Sequence, residues 1–223
     1  VITGAAGVLG RAVAKAFAGE RRVLIDLERT ALEKAYGADS ETQVLVPLDL
    51  LDGPATEVAL APLIAASSHL VLCNIAGGFV MGTDVHETAD ETWSRMFDLN
   101  LHTLTHATRA VVPKMIERGY GKVINIAAAS ATTGKAQMGA YAAAKSGVAR
   151  LTEAMSLELR GRGINVNAVA PSIIDTQANR AAMPDADPTQ WVSPTDLANV
   201  IRFLASDEAV AVHGAVVPVV GLS

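Results

Sequence analysis

Short runs rich in Val, Ile and Leu recur along this chain, most of them followed by stretches of helical periodicity. This alternation constrains the fold more than any other feature of the sequence. The runs are Val1–Thr3, Val23–Leu27, Val44–Leu48, Leu70–Asn74, Lys122–Ile126, Ile164–Ala168 and Ala215–Val219. The helical stretches include Leu9–Gly19, Glu91–Arg118, Gly139–Arg160 and Pro194–Ala205. Strands that are apolar on both sides mark a parallel sheet covered on both faces. Parallel strands in turn need crossovers, which are right-handed. The expectation is an α/β fold, a doubly wound parallel sheet of about seven strands with helices on both faces. No linker, charge block or repeat divides the 223 residues, so residues 1–223 are expected to form one domain.

Composition removes several classes of function. A net charge of −5 with no clustered Lys/Arg stripe weighs against a nucleic-acid partner. No apolar run is long enough to cross a bilayer and no secretory signal is present, so no membrane partner is expected. Cys73 is the only cysteine, which rules out an internal disulfide and makes a reducing cytoplasm the expected location. The chain opens on "VITG", inside a strand and without an initiator Met, so preceding residues are expected.

Ligands of open parallel sheets bind beyond the carboxyl ends of the strands. Here those ends carry the glycines and polar residues. "TGAAGVLG" (Thr3 to Gly10) turns from a strand directly into a helix. Its glycines permit a tight turn and close backbone approach, and the helix N-terminus offers free N–H groups to a pyrophosphate. With this loop the sheet reads as Rossmann-type. Asp26, ending the second strand, can accept hydrogen bonds from an adenosine ribose diol and would repel a 2′-phosphate, although Arg29 nearby blurs that preference. NAD(H) is therefore favoured, with NADP(H) possible. Tyr141 and Lys145 stand at i and i+4 in "YAAAK" and project from one helix face. A phenol with a pKa near ~10 is a poor acid–base catalyst at neutral pH, and a neighbouring ammonium lowers it by favouring the phenolate. His102 and His106 are also four apart, but no third ligand accompanies them and no metal is expected. Cys73 is expected to be a small buried strand residue.

Taken together, these motifs resemble the short-chain dehydrogenase/reductase family across the whole chain. Asp49 after the third strand, "NIAG" (Asn74 to Gly77), Asn100 in "DLNLHT" and "APSIIDT" complete the family order. The resemblance implies that Gly4, Ala6, Gly7, Val8, Leu9 and Gly10 cradle the cofactor phosphates, with Asp26 and Leu27 at the ribose and Asp49 and Leu50 at the adenine. It assigns Asn74, Ala76 and Gly77 to the adenosine side and Ile174 and Thr176 to the nicotinamide carboxamide, and counts Ile126 and Pro171 among the cofactor-binding residues. Tyr141 would be the general acid/base, Lys145 its activator and ribose anchor, and Asn100 part of a water-linked proton relay. The resemblance also implies a homodimer or homotetramer paired through Glu91–Arg118 and Gly139–Arg160.

The departures from the family pattern carry information. The middle glycine, Gly7, comes one residue early, Ile75 replaces an Asn, and Ser172 replaces a Gly. The family's serine, thirteen residues before its tyrosine, is here Ala128, within "INIAAASATTG". That hydroxyl donates to the reacting carbonyl oxygen in most members, and comparable oxyanion donors are worth on the order of 10²–10³ in rate. "GVLG", "CNIAGGFVMG", the alanine itself and "DTQANRAAMPDADPTQW" look like the dihydropteridine reductase branch, whose quinonoid substrate has no isolated ketone to polarise. Asn100 does not fit that branch. Three readings stay open. The chain is an NADH-dependent reductase of a pterin-like ring or quinone; or a carbonyl/alcohol dehydrogenase in which Ser130 supplies the missing donor; or a catalytically weak NAD-binding or sensor protein. The stretch Thr176–Ser193, with Met183, Pro184 and Trp191, is short and is expected to close over a small or flat substrate.

Overall fold

The computed structural model describes residues 1–223. Seven parallel strands form one sheet: β1 (Ile2–Thr3), β2 (Arg22–Asp26), β3 (Gln43–Pro47), β4 (Val71–Asn74), β5 (Gly121–Ile126), β6 (Ile164–Pro171) and β7 (Val216–Val219). Their order is β3-β2-β1-β4-β5-β6-β7, and the direction of winding reverses between β1 and β4. The helices are α1 (Val8–Ala16), α2 (Arg29–Tyr36), α3 (Gly53–Ile64), α4 (Asp90–Phe97), α5 (Thr103–Arg118), α6 (Gly139–Leu159), α7 (Gln177–Ala182) and α8 (Pro194–Leu204). The Rossmann-type sheet expected from the alternation is the one observed.

Period-two alternation along each strand builds two cores. Leu24 of β2 and Ile124 of β5 pack with Val13 of α1 and Leu197 and Ile201 of α8 on one face. Their neighbours Val23, Ile25 and Val123 pack with Leu60 of α3 and Val111 and Met115 of α5 on the other. Each fully buried aliphatic side chain of this kind contributes roughly 1.5–3 kcal/mol, and both faces are filled, which is why the strands read as apolar throughout.

Two elements differ from the sequence expectation. β6 runs on to Pro171 rather than stopping at Ala168, pairing Pro171 with Val219 at the sheet's last strand. Proline is tolerated at such a strand end because few ladder bonds there need its N–H. The stretch Glu91–Arg118 is not one regular helix. A π-helical turn over Asp98–His102 separates α4 from α5, and the Thr103 N–H bonds back to the Asp98 carbonyl. α5 then ends at Gly119, whose φ of +65° closes the helix in the left-handed region.

Candidate active site

β1 delivers the glycine loop to the winding reversal, where a ligand crevice is expected. Gly4 has φ +60°, and a Cβ there would lie 2.8 Å from the Ala76 nitrogen of the neighbouring loop. A Cβ on Gly10 would meet the Gly4 carbonyl and the Ala5 backbone (Cα at 2.7 Å), so only glycine lets α1 start this close to the turn. Gly7 is the N-cap and makes no side-chain cap bond. Val8 opens the helix after it, with its side chain at the surface. The loop is held from several directions. Ala5 N–H donates to the Ile25 carbonyl (2.9 Å), and the Ala5 carbonyl accepts from the Tyr36 hydroxyl (2.6 Å). Ala6 N–H donates to Asp26 Oδ2 (2.8 Å), while Leu27 N–H donates to Asp26 Oδ1 (2.9 Å). Arg29, which sequence left ambiguous, is engaged elsewhere, bonding Glu33 (2.9 Å), Asp39 (2.6 Å) and the Leu45 carbonyl (3.0 Å).

The β4 end lies beside this loop, and the β3 end lies one strand further out, beyond β2. Asp49 Oδ1 accepts from Leu51 N–H at 2.9 Å. The Leu50 side chain is buried in the α3/α5 core, so this position can offer a ligand only main-chain atoms. Its carbonyl accepts from His106 Nδ1 (2.8 Å), and His102 Nδ1 lies 2.7 Å from Asp98, so both histidines are engaged locally. Thr3 Oγ1 accepts the N–H groups of both Ile75 and Ala76 at 3.0 Å, tying β1 to the "NIAG" loop. Asn74 donates to Asn125 (2.9 Å), which donates to Thr152 on α6 (2.9 Å), while Asn74 Oδ1 is buried with no partner. Cys73 is buried beside it, and burial pushes its thiol up to about 12.

The π-turn presents Asn100 inward. The side chain donates to the carbonyls of Met96 (2.9 Å) and Gly78 (3.1 Å) and accepts from Gly78 N–H (3.2 Å). A Cβ on Gly77 would lie 2.8 Å from Asn100 Oδ1 and 3.4 Å from Lys145 Nζ, so the Gly77 backbone sits where these two side chains meet. Lys145 is buried and donates to the Ile126 carbonyl at 2.7 Å. The expected lowering of the Tyr141 phenol by this ammonium is not what the chain displays. Burial dominates both groups, raising Tyr141 to about 12 and lowering Lys145 to about 8, because each loses water, and the ammonium itself is directed at the Ile126 carbonyl.

Ala127 and Ala128 are buried at the end of β5, with Ala128 only 4% exposed. Ser130 follows on a 3₁₀ turn (Ala129–Ala131) and is half-buried. Ser146 pins that turn to α6 by donating to the Ala131 carbonyl at 2.7 Å. Phe79 lies edge-on to the Tyr141 ring, with centroids 4.8 Å apart and planes at 83°. Gln137 has φ +62°, a strained value for a residue with a side chain, and its carbonyl accepts from Gly82 N–H (3.0 Å), joining the two loops above Tyr141. On the other side, Ile174 pairs with Val192, and Thr176 caps α7 by accepting from Asn179 N–H (3.1 Å).

The family described as short chain dehydrogenase matches residues 1–187. The chain belongs to the short chain dehydrogenase family. It is 33% identical over 238 residues to galactitol 2-dehydrogenase (L-tagatose-forming) of Cereibacter sphaeroides, covering 99% of this chain and 92% of that one. Carveol dehydrogenase from Mycobacterium avium in complex with NAD superposes at TM-score 0.87 with 28% identity, covering 99% of this chain and 95% of that one. ElxO with NADP bound superposes at TM-score 0.89 with 22% identity and coverages of 99% and 96%, a likeness of fold. Membership makes the chain an NAD(P)-dependent oxidoreductase.

The glycine loop fits such a cofactor. Its crowded glycines bring backbone to a helix N-terminus that no side chain caps, which is the geometry a pyrophosphate needs. Family membership also sets apart the residues that sequence reasoning missed. Thr3 contacts the "NIAG" loop, Tyr36 the glycine loop and Phe79 the Tyr141 ring. Thr3 and Phe79 lie inside quoted motifs and could have been marked there, but Tyr36 reaches Ala5 from the end of α2 and leaves no local signal.

Proposed function

We propose that the chain is an NADH-dependent reductase of a flat conjugated ring, a quinonoid dihydropterin or a quinone. The observation that carries this reading is the apolar wall at the end of β5. Where a hydroxyl would grip a ketone oxygen stands the methyl group of Ala128, next to Ala127 in the core, and Phe79 stands edge-on to Tyr141. Such a wall suits a ring that takes its proton on nitrogen or on a phenolic oxygen and needs no separate donor. The polyol named in one relative is a different class of substrate.

The proposed roles follow from position. When bound, the cofactor supplies a hydride equivalent to the ring. The Gly4–Gly10 loop and the first turn of α1 hold its phosphates, and Asp49, Leu50, Asn74, Ala76 and Gly77 line its adenosine side. Ile126, Pro171, Ile174 and Thr176 line the nicotinamide side. Tyr141, protonated in the free chain because burial raises it, donates that proton to the substrate, a transfer that requires its pKa to fall toward neutrality once cofactor and substrate are bound. Lys145 and Asn100 meet at Gly77, beside the route by which Tyr141 is reprotonated. Asp26 with a fully engaged Arg29 favours NADH over NADPH. The Thr176–Ser193 segment is the lid over the substrate, and subunits pair through α4, α5 and α6 as a dimer or tetramer.

A second reading has its own support: Ser130 is half-buried on the 3₁₀ turn two residues beyond Ala128, so its hydroxyl could act as the donor for a ketone. NADH oxidation against a quinonoid dihydropterin, a quinone and a set of ketones separates the two, with Ser130→Ala as control. Ring reduction that survives Ser130→Ala and is abolished by Tyr141→Phe supports the first reading. Ketone reduction lost in Ser130→Ala supports the second, and full turnover by Tyr141→Phe would sink both.

A further inference from the structure

Ser172, the departure next to Pro171, has no part in the roles above, yet its surroundings give it one. β6 ends at Pro171 and the chain turns at once toward the lid. At that corner the Ser172 N–H donates to the Val219 carbonyl (3.2 Å) and its hydroxyl to the Val220 carbonyl (2.9 Å), while the Ser223 hydroxyl lies 2.7 Å away. The tail beyond β7, held there, crosses to the returning limb of the lid, where Leu222 N–H donates to the Gln190 carbonyl (3.0 Å). Gly221 permits the crossing. Its φ is +63°, and a Cβ would lie 2.9 Å from the Gln190 oxygen and 3.1 Å from the Trp191 oxygen, both backbone atoms. The returning limb is paired in turn with the outgoing one: Val192 N–H donates to the Ile173 carbonyl (2.9 Å) and Asp175 N–H to the Val192 carbonyl (2.8 Å). Hydrogen bonds thus close a ring from Ser172 to the tail, from the tail to Gln190–Val192, and back to Ile173–Asp175.

We infer that this ring is a clamp fixing the foot of the lid, and that Ser172 and Gly221 are positioning residues for the nicotinamide and substrate side of the site. The inference rests on the proposed function in assigning Thr176–Ser193 to the substrate. Ile174 and Thr176 follow Ser172 closely in the chain, so any shift of the foot moves them directly. Beyond the foot the bonding is local: Thr176 and Asn179 bond each other's turn, Arg180 pairs with Asp175, and Asp187 bonds Thr189. The outer lid can therefore open and close about a foot that stays in place. A glycine at 172, usual in the family, would lack the hydroxyl tie.

Ser172→Ala removes that tie without altering the main chain, and Gly221→Ala drives a methyl group onto two carbonyl oxygens at a positive φ. Two readouts are taken: KM and kcat for NADH-driven quinone reduction, and trypsin cleavage after Arg180, which is exposed on α7, relative to cleavage elsewhere in the chain. Small misplacements at a site are expensive, so KM for the quinone is expected to rise about fivefold in Ser172→Ala and further in Gly221→Ala, with kcat within about twofold. Cleavage after Arg180 is expected to accelerate several-fold in the same order. A merely structural role would lower the melting temperature while leaving KM and the share of cleavage at Arg180 unmoved, and that result overturns the clamp. If the wild type reduces no acceptor, the proposed function fails, and the Arg180 readout still decides: acceleration in both variants upholds the clamp, and wild-type rates in both overturn it.

Discussion

Ala128→Ser puts back the hydroxyl that the family usually carries, and its two expected effects oppose each other. Ala128 is extended (ψ 149°) and 4% exposed, so a serine adds one oxygen to a Cβ already in place and asks nothing of the backbone. A buried hydroxyl without a partner costs about 1–3 kcal/mol, which for a chain of this length lowers the melting temperature by roughly 2–10 °C. Against that, a donor aimed at a developing oxyanion is worth about 2.7–4 kcal/mol, and a donor whose surroundings were not shaped for it should recover only part of this, on the order of 10–10² in rate. The variant should therefore be less stable, reduce ketones faster by that factor, and reduce quinones at the wild-type rate within about twofold. NADH absorbance with one ketone and one quinone, alongside a thermal melt, is sufficient to test it. If ketone and quinone rates move together, or neither moves, position 128 does not face the reacting atom and the apolar-wall argument fails.

Three more outcomes follow from the geometry. Lys145 is lowered from 10.5 to about 8, so between those values the unfolded chain holds a proton that the folded chain lacks, and stability from this group rises with pH across that window. Below about 8 the folded chain carries the buried ammonium at full cost. Urea midpoints should thus show the wild type gaining on Lys145→Met as pH rises through the window, and parallel profiles would rule this out. Tyr141, raised from 10.0 to about 12, works in the opposite sense above 10.0. Asp26→Ala removes a like charge from the 2′-phosphate position, a juxtaposition that costs a few kcal/mol, so kcat/KM for NADPH relative to NADH should rise on the order of a hundredfold; an unchanged ratio would show that Asp26 serves only to hold Ala6 and Leu27. Asn100→Ala leaves the Met96 and Gly78 carbonyls and the Gly78 N–H without their side-chain partner. A loss of about 2–3 kcal/mol is expected, visible as a melting temperature lower by roughly 5–10 °C, and a wild-type melt would contradict the role given to that side chain.

The sheet was legible because its strands are buried on both faces, and a run such as Val23–Leu27 has no other stable use. The glycine loop was legible for a related reason: crowding at Gly4 and Gly10 forbids any other residue, so the spacing records the geometry. What stayed hidden depends on contacts distant in sequence. The break between α4 and α5 leaves the helical pattern of Glu91–Arg118 intact, since it is maintained by the contact of Asn100 with Gly78 in another loop. The Tyr141–Lys145 spacing showed that both share a helix face but not that the ammonium turns to the Ile126 carbonyl. Ser172 could be marked as unusual, but its partners lie some 48 residues away in the tail.

The turn over Asp98–His102 also has a consequence for inheritance. An α-helix rotates about 100° per residue, and a π-turn takes up one residue more than a regular turn does. The helices on either side are therefore out of phase by that angle, and the packing of each is adjusted to the offset: Met96 upstream is buried among Ala140 and Ala144, and Val111 and Met115 downstream are buried against the sheet. Deleting any one residue of the turn would straighten the helix and rotate one of these faces away from its neighbours. No point substitution can undo such a rotation. The length of the turn thus fixes the two packed faces relative to each other, whichever residue stands at position 100.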